Sequence, residues 1–166
     1  MNQLRRILGI DPGLGITGYG VIEIAANLPV LREAGIIRTA DDDANDMAEK
    51  VLSVYNGVVE VIAQFQPEAM AVEQLYAHYD HPRTAILMGH ARGVIFLAAA
   101  QHKIPVVSYA ATQVKKLITG NGRASKEQVQ RTIQHELGMS ALPDPPDVAD
   151  ALAVALCHYY THRRIS

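Results

Sequence analysis

Leu8-Gly9-Ile10-Asp11-Pro12-Gly13, followed by Gly15, Gly18 and Gly20, reads as an apolar strand that runs into an acid and then into a Pro-Gly turn. A carboxylate at such a strand end points into a crevice. Two further acidic positions can meet it there: Glu73, at the end of the apolar run Ala69-Met70-Ala71-Val72, and the pair Asp147 and Asp150 near the last helix. Carboxylates gathered from distant segments repel one another unless something cationic lies between them. Mg²⁺ or Mn²⁺, hard ions that prefer oxygen ligands, is the simplest such cation. Each acid also has a plainer reading. Asp11 can bond backbone amides of the Pro-Gly turn, Glu73 can pair with an arginine, and Asp147 can be a helix-start charge.

Working outward from that stretch, Arg6 to Asp11, Gly18 to Ala25 and Val30 to Arg38 read as three strands whose short connections suggest an antiparallel meander. Met47, Val51, Val54, Tyr55, Val58, Val61, Ile62 and Phe65 recur at helical steps, with Asn45 or Asp46 as N-cap behind the acidic loop Asp41-Asp42-Asp43. A buried strand over Glu68 to Glu73, a long helix over Arg83 to His102 and a strand over Ile104 to Ser108 follow. Gly89 and Gly93 lie four apart inside that helix, and glycine there costs about 1 kcal/mol relative to alanine. Close approach of another backbone, from the chain's own sheet or from a second subunit, would account for them. The remaining helices run from Ala111 to Ile118, from Lys126 to Leu137 with Ser125 as N-cap, and from Pro145 as first helical position, with Asp144 as the cap candidate, through Val148 to about Thr161. This order indicates an α/β layered domain with a mixed sheet.

At 166 residues the chain is expected to be a single domain, 1–166, able to bury a core without disulfides. Its one cysteine, Cys157, falls on an apolar helix and reads as packing, and the seven histidines show no zinc-type spacing. His78 and His81 flank Asp80 in a polar loop. No apolar run approaches the ~20 residues of a membrane span, and Arg5 and Arg6 do not lead into a secretory h-region, so a cytoplasmic protein with no membrane partner is expected. Net charge is only −2, yet from Pro82 to His135 eight basic residues (Arg83, Arg92, Lys103, Lys115, Lys116, Arg123, Lys126, Arg131) stand against one acid, Glu127. That asymmetry suits a basic face for a polyanion as well as scattered solvated charge.

Asp147 and Asp150 are three residues apart on a helix and project from nearly the same face. With Asp11 and Glu73 they offer three or four oxygen ligands, enough to bracket two Mg²⁺ ions and support phosphodiester hydrolysis. The segments Ile7-Leu8-Gly9-Ile10-Asp11-Pro12-Gly13, Thr17-Gly18-Tyr19-Gly20, Val72-Glu73-Gln74, Gly89-His90-Ala91-Arg92-Gly93, Tyr109-Ala110-Ala111 with Gln113-Val114-Lys115, and Asp147-Val148-Ala149-Asp150-Ala151-Leu152-Ala153 together resemble the RuvC family of Holliday-junction resolvases. The resemblance spans about residue 6 to the end of the last helix.

The resemblance implies a ribonuclease H-like fold, with a mixed five-stranded sheet flanked by helices, in a homodimer. It further implies Mg²⁺-dependent cutting (Mn²⁺ as the alternative, two ions per site) of two opposed strands of a four-way DNA junction, alongside a branch-migration complex. Asp11, Glu73, Asp147 and Asp150 then form the catalytic and metal site. Some members carry histidine where Asp147 stands, so that position is a ligand or a proton handler. Tyr76 would stack on unpaired bases at the junction centre, and Lys115, Lys116, Arg123 and Lys126 would meet DNA phosphates. Lys126 starts a helix, where the dipole does not favour a cation, and a phosphate partner gives it a reason. Residues 77–82 depart from the family pattern. Two other readings compete: a junction-binding module whose acids are structural, and a nucleotide-binding domain, since Gly9-Ile10-Asp11-Pro12-Gly13 also resembles the phosphate loop of sugar kinases and actin-like ATPases. The latter need two such domains, for which this chain has no room.

Overall fold

The computed structural model describes residues 6–39, 46–75 and 81–163. Within them five strands, β1 (Arg6–Asp11), β2 (Ile16–Ala25), β3 (Leu28–Arg38), β4 (Ala69–Glu73) and β5 (Val106–Tyr109), form one sheet in the order β3-β2-β1-β4-β5. β1, β2 and β3 make the expected antiparallel meander, whereas β4 and β5 join in parallel. Five helices flank the sheet: α1 (Met47–Phe65), α2 (Pro82–Gln101), α3 (Ala111–Thr119), α4 (Lys126–Glu136) and α5 (Pro146–Arg163).

Side chains alternate faces along a strand, and here the alternation sorts the core into two layers. Leu8, Ile10, Val21, Met70 and Val72 pack with Val54, Val58 and Ile62 of α1 and Ile95, Ala98 and Ala99 of α2. Ile7, Ile22 and Ala71 pack on the other face with Val114 of α3, Val129 and Ile133 of α4, and Val148, Leu152 and Leu156 of α5. Asp11 is in phase with Ile7 and Glu73 with Ala71. Both acids therefore face the α3-α4-α5 layer.

Asp46 caps α1, its side chain accepting from the amides of Ala48 and Glu49. Ser125 caps α4 in a reciprocal box with Gln128. Asp144 does not cap the last helix. Two prolines compete for its first position, and the residue before a proline is pushed away from helical conformation. Pro145 is thus held outside, Pro146 begins α5, and the Asp144–Pro145 bond is cis.

The glycines of α2 do not meet the chain's own sheet. A Cβ at Gly89 or Gly93 would find nothing within 4 Å, because the sheet-facing side of α2 is carried by Ala91, Ile95, Ala98 and Ala99. The outward side shows Ile86 (64% exposed) and Leu97 (50%). By length and composition α2 is apolar enough to cross a membrane, which the short apolar runs of the sequence conceal, since Arg92 interrupts them. Tyr76, the acidic loop Asp41–Asp43, and His78 and Asp80 lie outside the described residues.

Candidate active site

β1 and β4 run parallel in the register Ile10↔Val72, so their last residues, Asp11 and Glu73, end side by side. α5 brings the other two acids over them, and glycine sets its height. A Cβ on Gly9 would stand 2.0 Å from the Ala151 carbonyl oxygen, and one on Gly18 2.2 Å from that of Asp147. Gly18 is the cross-strand partner of Asp11. The first turns of α5 therefore rest directly on the β1-β2 backbone, and Asp147 and Asp150 hang above the β1 terminus.

The turn that follows Asp11 is held by two hydroxyls. Thr17, fully buried, donates to the Gly13 carbonyl at 2.6 Å and accepts from the Gly13 amide at 3.3 Å. Thr39 donates its hydroxyl to the Leu14 carbonyl at 3.0 Å and its amide to that of Gly15 at 3.1 Å.

Electrostatics register how closely the four acids are grouped. Burial, then the charges of Asp150, Asp147 and Glu73, with a side-chain hydrogen bond to Asp147 adding to them, push Asp11 up to about 8. Burial and Asp150 raise Glu73, while Lys115 pulls it back. Burial and Asp147 raise Asp150, opposed by Lys126 and Lys115. Lys115 of α3 and Lys126, the first residue of α4, thus stand at the acidic site. The intervening turn is ordered: Gly120 takes the left-handed conformation (φ 79°) that ends α3, and the Asn121 side chain accepts from the Arg123 amide at 2.9 Å.

Lys116 and Arg123 are exposed. Three of the other four basic residues of the stretch from Pro82 to His135 are engaged or placed elsewhere. Arg131 pairs with Glu127 at 2.6 Å, Lys103 lies in the turn before β5, at the opposite end of the sheet, and Arg92 turns inward.

The donor set suits a hard divalent cation: oxygen only, four carboxyls, and one of them, Asp11, held so far above its ordinary value that a nearby cation would restore its ionisation. No ion pair engages the four among the described residues. They are grouped without being closed into a shell, since no three His, Cys, Asp or Glu side chains converge on one point among the described residues.

Two residues at this site were not singled out from the sequence for the roles they take: Thr17, which fastens the turn, and Arg92, which donates to the backbone carbonyl of Glu73. Both sit in segments that carry the family resemblance.

Comparison with known proteins agrees with this geometry. The model of the family described as crossover junction endodeoxyribonuclease RuvC matches residues 7–158. A protein of that name from Rhodopirellula baltica is 51% identical over 154 residues, covering 93% of this chain and 85% of its own. Another from Desulforamulus reducens is 47% identical over 152 residues, covering 92% and 91%. Among solved structures, T. thermophilus RuvC in complex with Holliday junction substrate superposes with a TM-score of 0.88 at 34% identity, covering 96% of both chains.

Proposed function

The chain belongs to the RuvC family of crossover junction endodeoxyribonucleases, and from that premise we propose that it resolves Holliday junctions in recombination and repair by paired, symmetrical nicks. The observation that carries the reading is the meeting of Asp11, Glu73, Asp147 and Asp150 at one end of the sheet, with Lys115 and Lys126 beside them.

Members of this family are metal-dependent nucleases. Two Mg²⁺ ions, or Mn²⁺ in their place, held by the four carboxylates would supply Lewis acidity toward the attacking water and the leaving oxygen. Asp11 and Glu73 offer their oxygens from rigid strand ends, and Asp150 from the second turn of α5. Asp147, one turn earlier, is a ligand or a proton handler. Lys115 and Lys126 take the scissile phosphate, Lys126 helped by a helix start that favours an anion in front of it. Lys116 and Arg123 neutralise phosphates farther along the strand, and Tyr76 stacks on unpaired bases. The products are a 5′-phosphate and a 3′-hydroxyl.

The working unit in this reading is a cytoplasmic homodimer, whose two-fold axis matches that of an open junction. The outward stripe of α2, Ile86, Gly89, Gly93 and Leu97, is its contact. A branch-migration complex of the same pathway is the further partner.

The test is a mobile four-way junction incubated with the protein and Mg²⁺ or Mn²⁺, beside linear duplex and Asp150→Asn, with cuts mapped on all four strands. Paired nicks on the junction alone, lost in the variant, are expected. Tight binding without nicks in either metal would instead favour a junction-binding module, or a cleavage-sequence requirement that the chosen junction lacked.

A further inference from the structure

The carbonyl of Glu73 has a partner problem that begins in the sequence. In a parallel ladder the amide and carbonyl of one residue point to the same neighbouring strand, and successive residues alternate. Met70 donates to the Pro105 carbonyl at 2.9 Å and Gln74 to that of Tyr109 at 2.8 Å, both toward β5. Glu73, between them in phase, turns its carbonyl toward β1. Continuing the register Ile7↔Ala69 through Ile10↔Val72 puts residue 12 where the donor should stand. That residue is Pro12, which has no N–H. The ladder therefore cannot satisfy this carbonyl, and an unmet backbone acceptor is destabilising when buried.

Arg92 fills the gap from the other layer. Its Nη1 donates to the Glu73 carbonyl, and its Nη2 reaches Ser108 Oγ on β5 at 3.3 Å. The guanidinium carbon lies 4.7 Å from the centroid of the Phe96 ring, one turn farther along α2. Charged donors make the stronger hydrogen bonds. The peptide unit between Glu73 and Gln74 is thus held from both sides, by Tyr109 through its N–H and by Arg92 through its C=O. The orientation of that unit sets where Glu73 aims its carboxylate. Arg92 takes the carbonyl and forms no ion pair with the Glu73 carboxylate, which stays free for a cation. Burial lowers the guanidinium pKa from its usual value, as expected for a cation withdrawn from solvent.

We propose that Arg92 is a positioning residue for Glu73, standing in for the ladder donor that Pro12 lacks and tying the active end of β4 to α2. Glu73's role is that assigned above, so the inference rests in part on that reading. It goes further in one respect: a shift of α2, whose opposite side carries the proposed subunit contact, is transmitted to the metal-facing carboxylate through one guanidinium.

The comparison is between wild type, Arg92→Gln and Arg92→Lys. In metal-free protein, hydrogen exchange at the Gln74 amide is expected to quicken at least tenfold in Arg92→Gln, while amides of the β1-β2 ladder keep wild-type protection. With a synthetic junction, the single-turnover cutting rate at saturation should fall on the order of 10–100-fold. The Mg²⁺ concentration for half-maximal rate should rise, and metal-free junction affinity should stay within about threefold. Arg92→Lys, able to reach one acceptor, should recover part of both the exchange protection and the rate. If Arg92→Gln fails to fold, Arg92→Lys decides by the same readouts. Unchanged Gln74 exchange, an unchanged metal midpoint, or a rate loss wholly matched by weaker junction binding would overturn the proposal. Absence of cutting by wild type would instead count against the nuclease reading, and the exchange experiment would still judge Arg92.

Discussion

Ionising Asp11 amid Glu73, Asp147 and Asp150 costs free energy that the metal-free fold must absorb. Its folded pKa, about 8, lies far above the ordinary 3.8, so between those values the native state holds a proton that the unfolded state has lost. Stability from this group is complete at and below pH 4 and drains away as pH rises toward 8. In metal-free protein, Asp11→Asn should therefore melt above wild type at pH 8, by about 5 °C, with the gap closing toward pH 4. His158, lowered to about 4 by burial and by His162, titrates in both proteins and cancels in the difference. Mg²⁺ at pH 8 should raise the melting temperature of wild type more than that of the variant. Paired melts across this pH range decide it, and parallel curves for the two proteins would contradict it. Asp11 and Glu73 were legible as strand-end acids because an apolar run that stops on a carboxylate is a local pattern. Arg92 was not, because its reason for existing is a missing donor 80 residues away in the chain at Pro12, seen only when β1 and β4 are in register.

At the scale of elements, the site depends on how low α5 can sit. Gly9, Gly18 and Gly20 remove the side chains that would hold it off the sheet, and Cβ atoms at these positions would meet Ala151, Asp147 and Leu152 at 2.0, 2.2 and 2.4 Å. Gly18→Ala has backbone to displace and no flexible side chain to push aside. It should cost about 1–3 kcal/mol or more and lower the cutting rate by lifting Asp147 from Asp11. Gly15→Ala, exposed and with nothing within 4 Å of its Cβ, should stay within about 0.5 kcal/mol of wild type. Denaturant melts and cutting rates on the pair test this, and equal effects would rule out the close-packing account. The sequence shows these glycines as punctuation around a turn. Their work as a floor for α5 appears only once the helix is laid across β1 and β2. The start of α5 itself was misplaced by one residue, since either of two consecutive prolines can open a helix in isolation and only their order decides between them.

For the whole molecule, the outward face of α2 is the surface with consequences. Ile86, Gly89, Gly93 and Leu97 recur at helical spacing on the side turned from the core, an apolar stripe of the kind that marks association. Leu97→Glu should leave the fold intact, shift sedimentation from a two-chain to a one-chain mass, and replace paired nicks with slow, unpaired ones. A variant that still sediments as two chains would move the contact elsewhere. By itself the sequence determined the periodic elements, the α/β order, the strand-end acids and the helical pair Asp147 and Asp150, because each is written in residues a few positions apart. Only the tertiary structure decided that Lys115 and Lys126 face the acids while Arg131 and Lys103 do not, that Gly89 and Gly93 look away from the sheet, and that Arg92 serves a carbonyl instead of a phosphate. Those outcomes are set by parallel register and layer packing between segments distant in the chain, where local propensity carries no information.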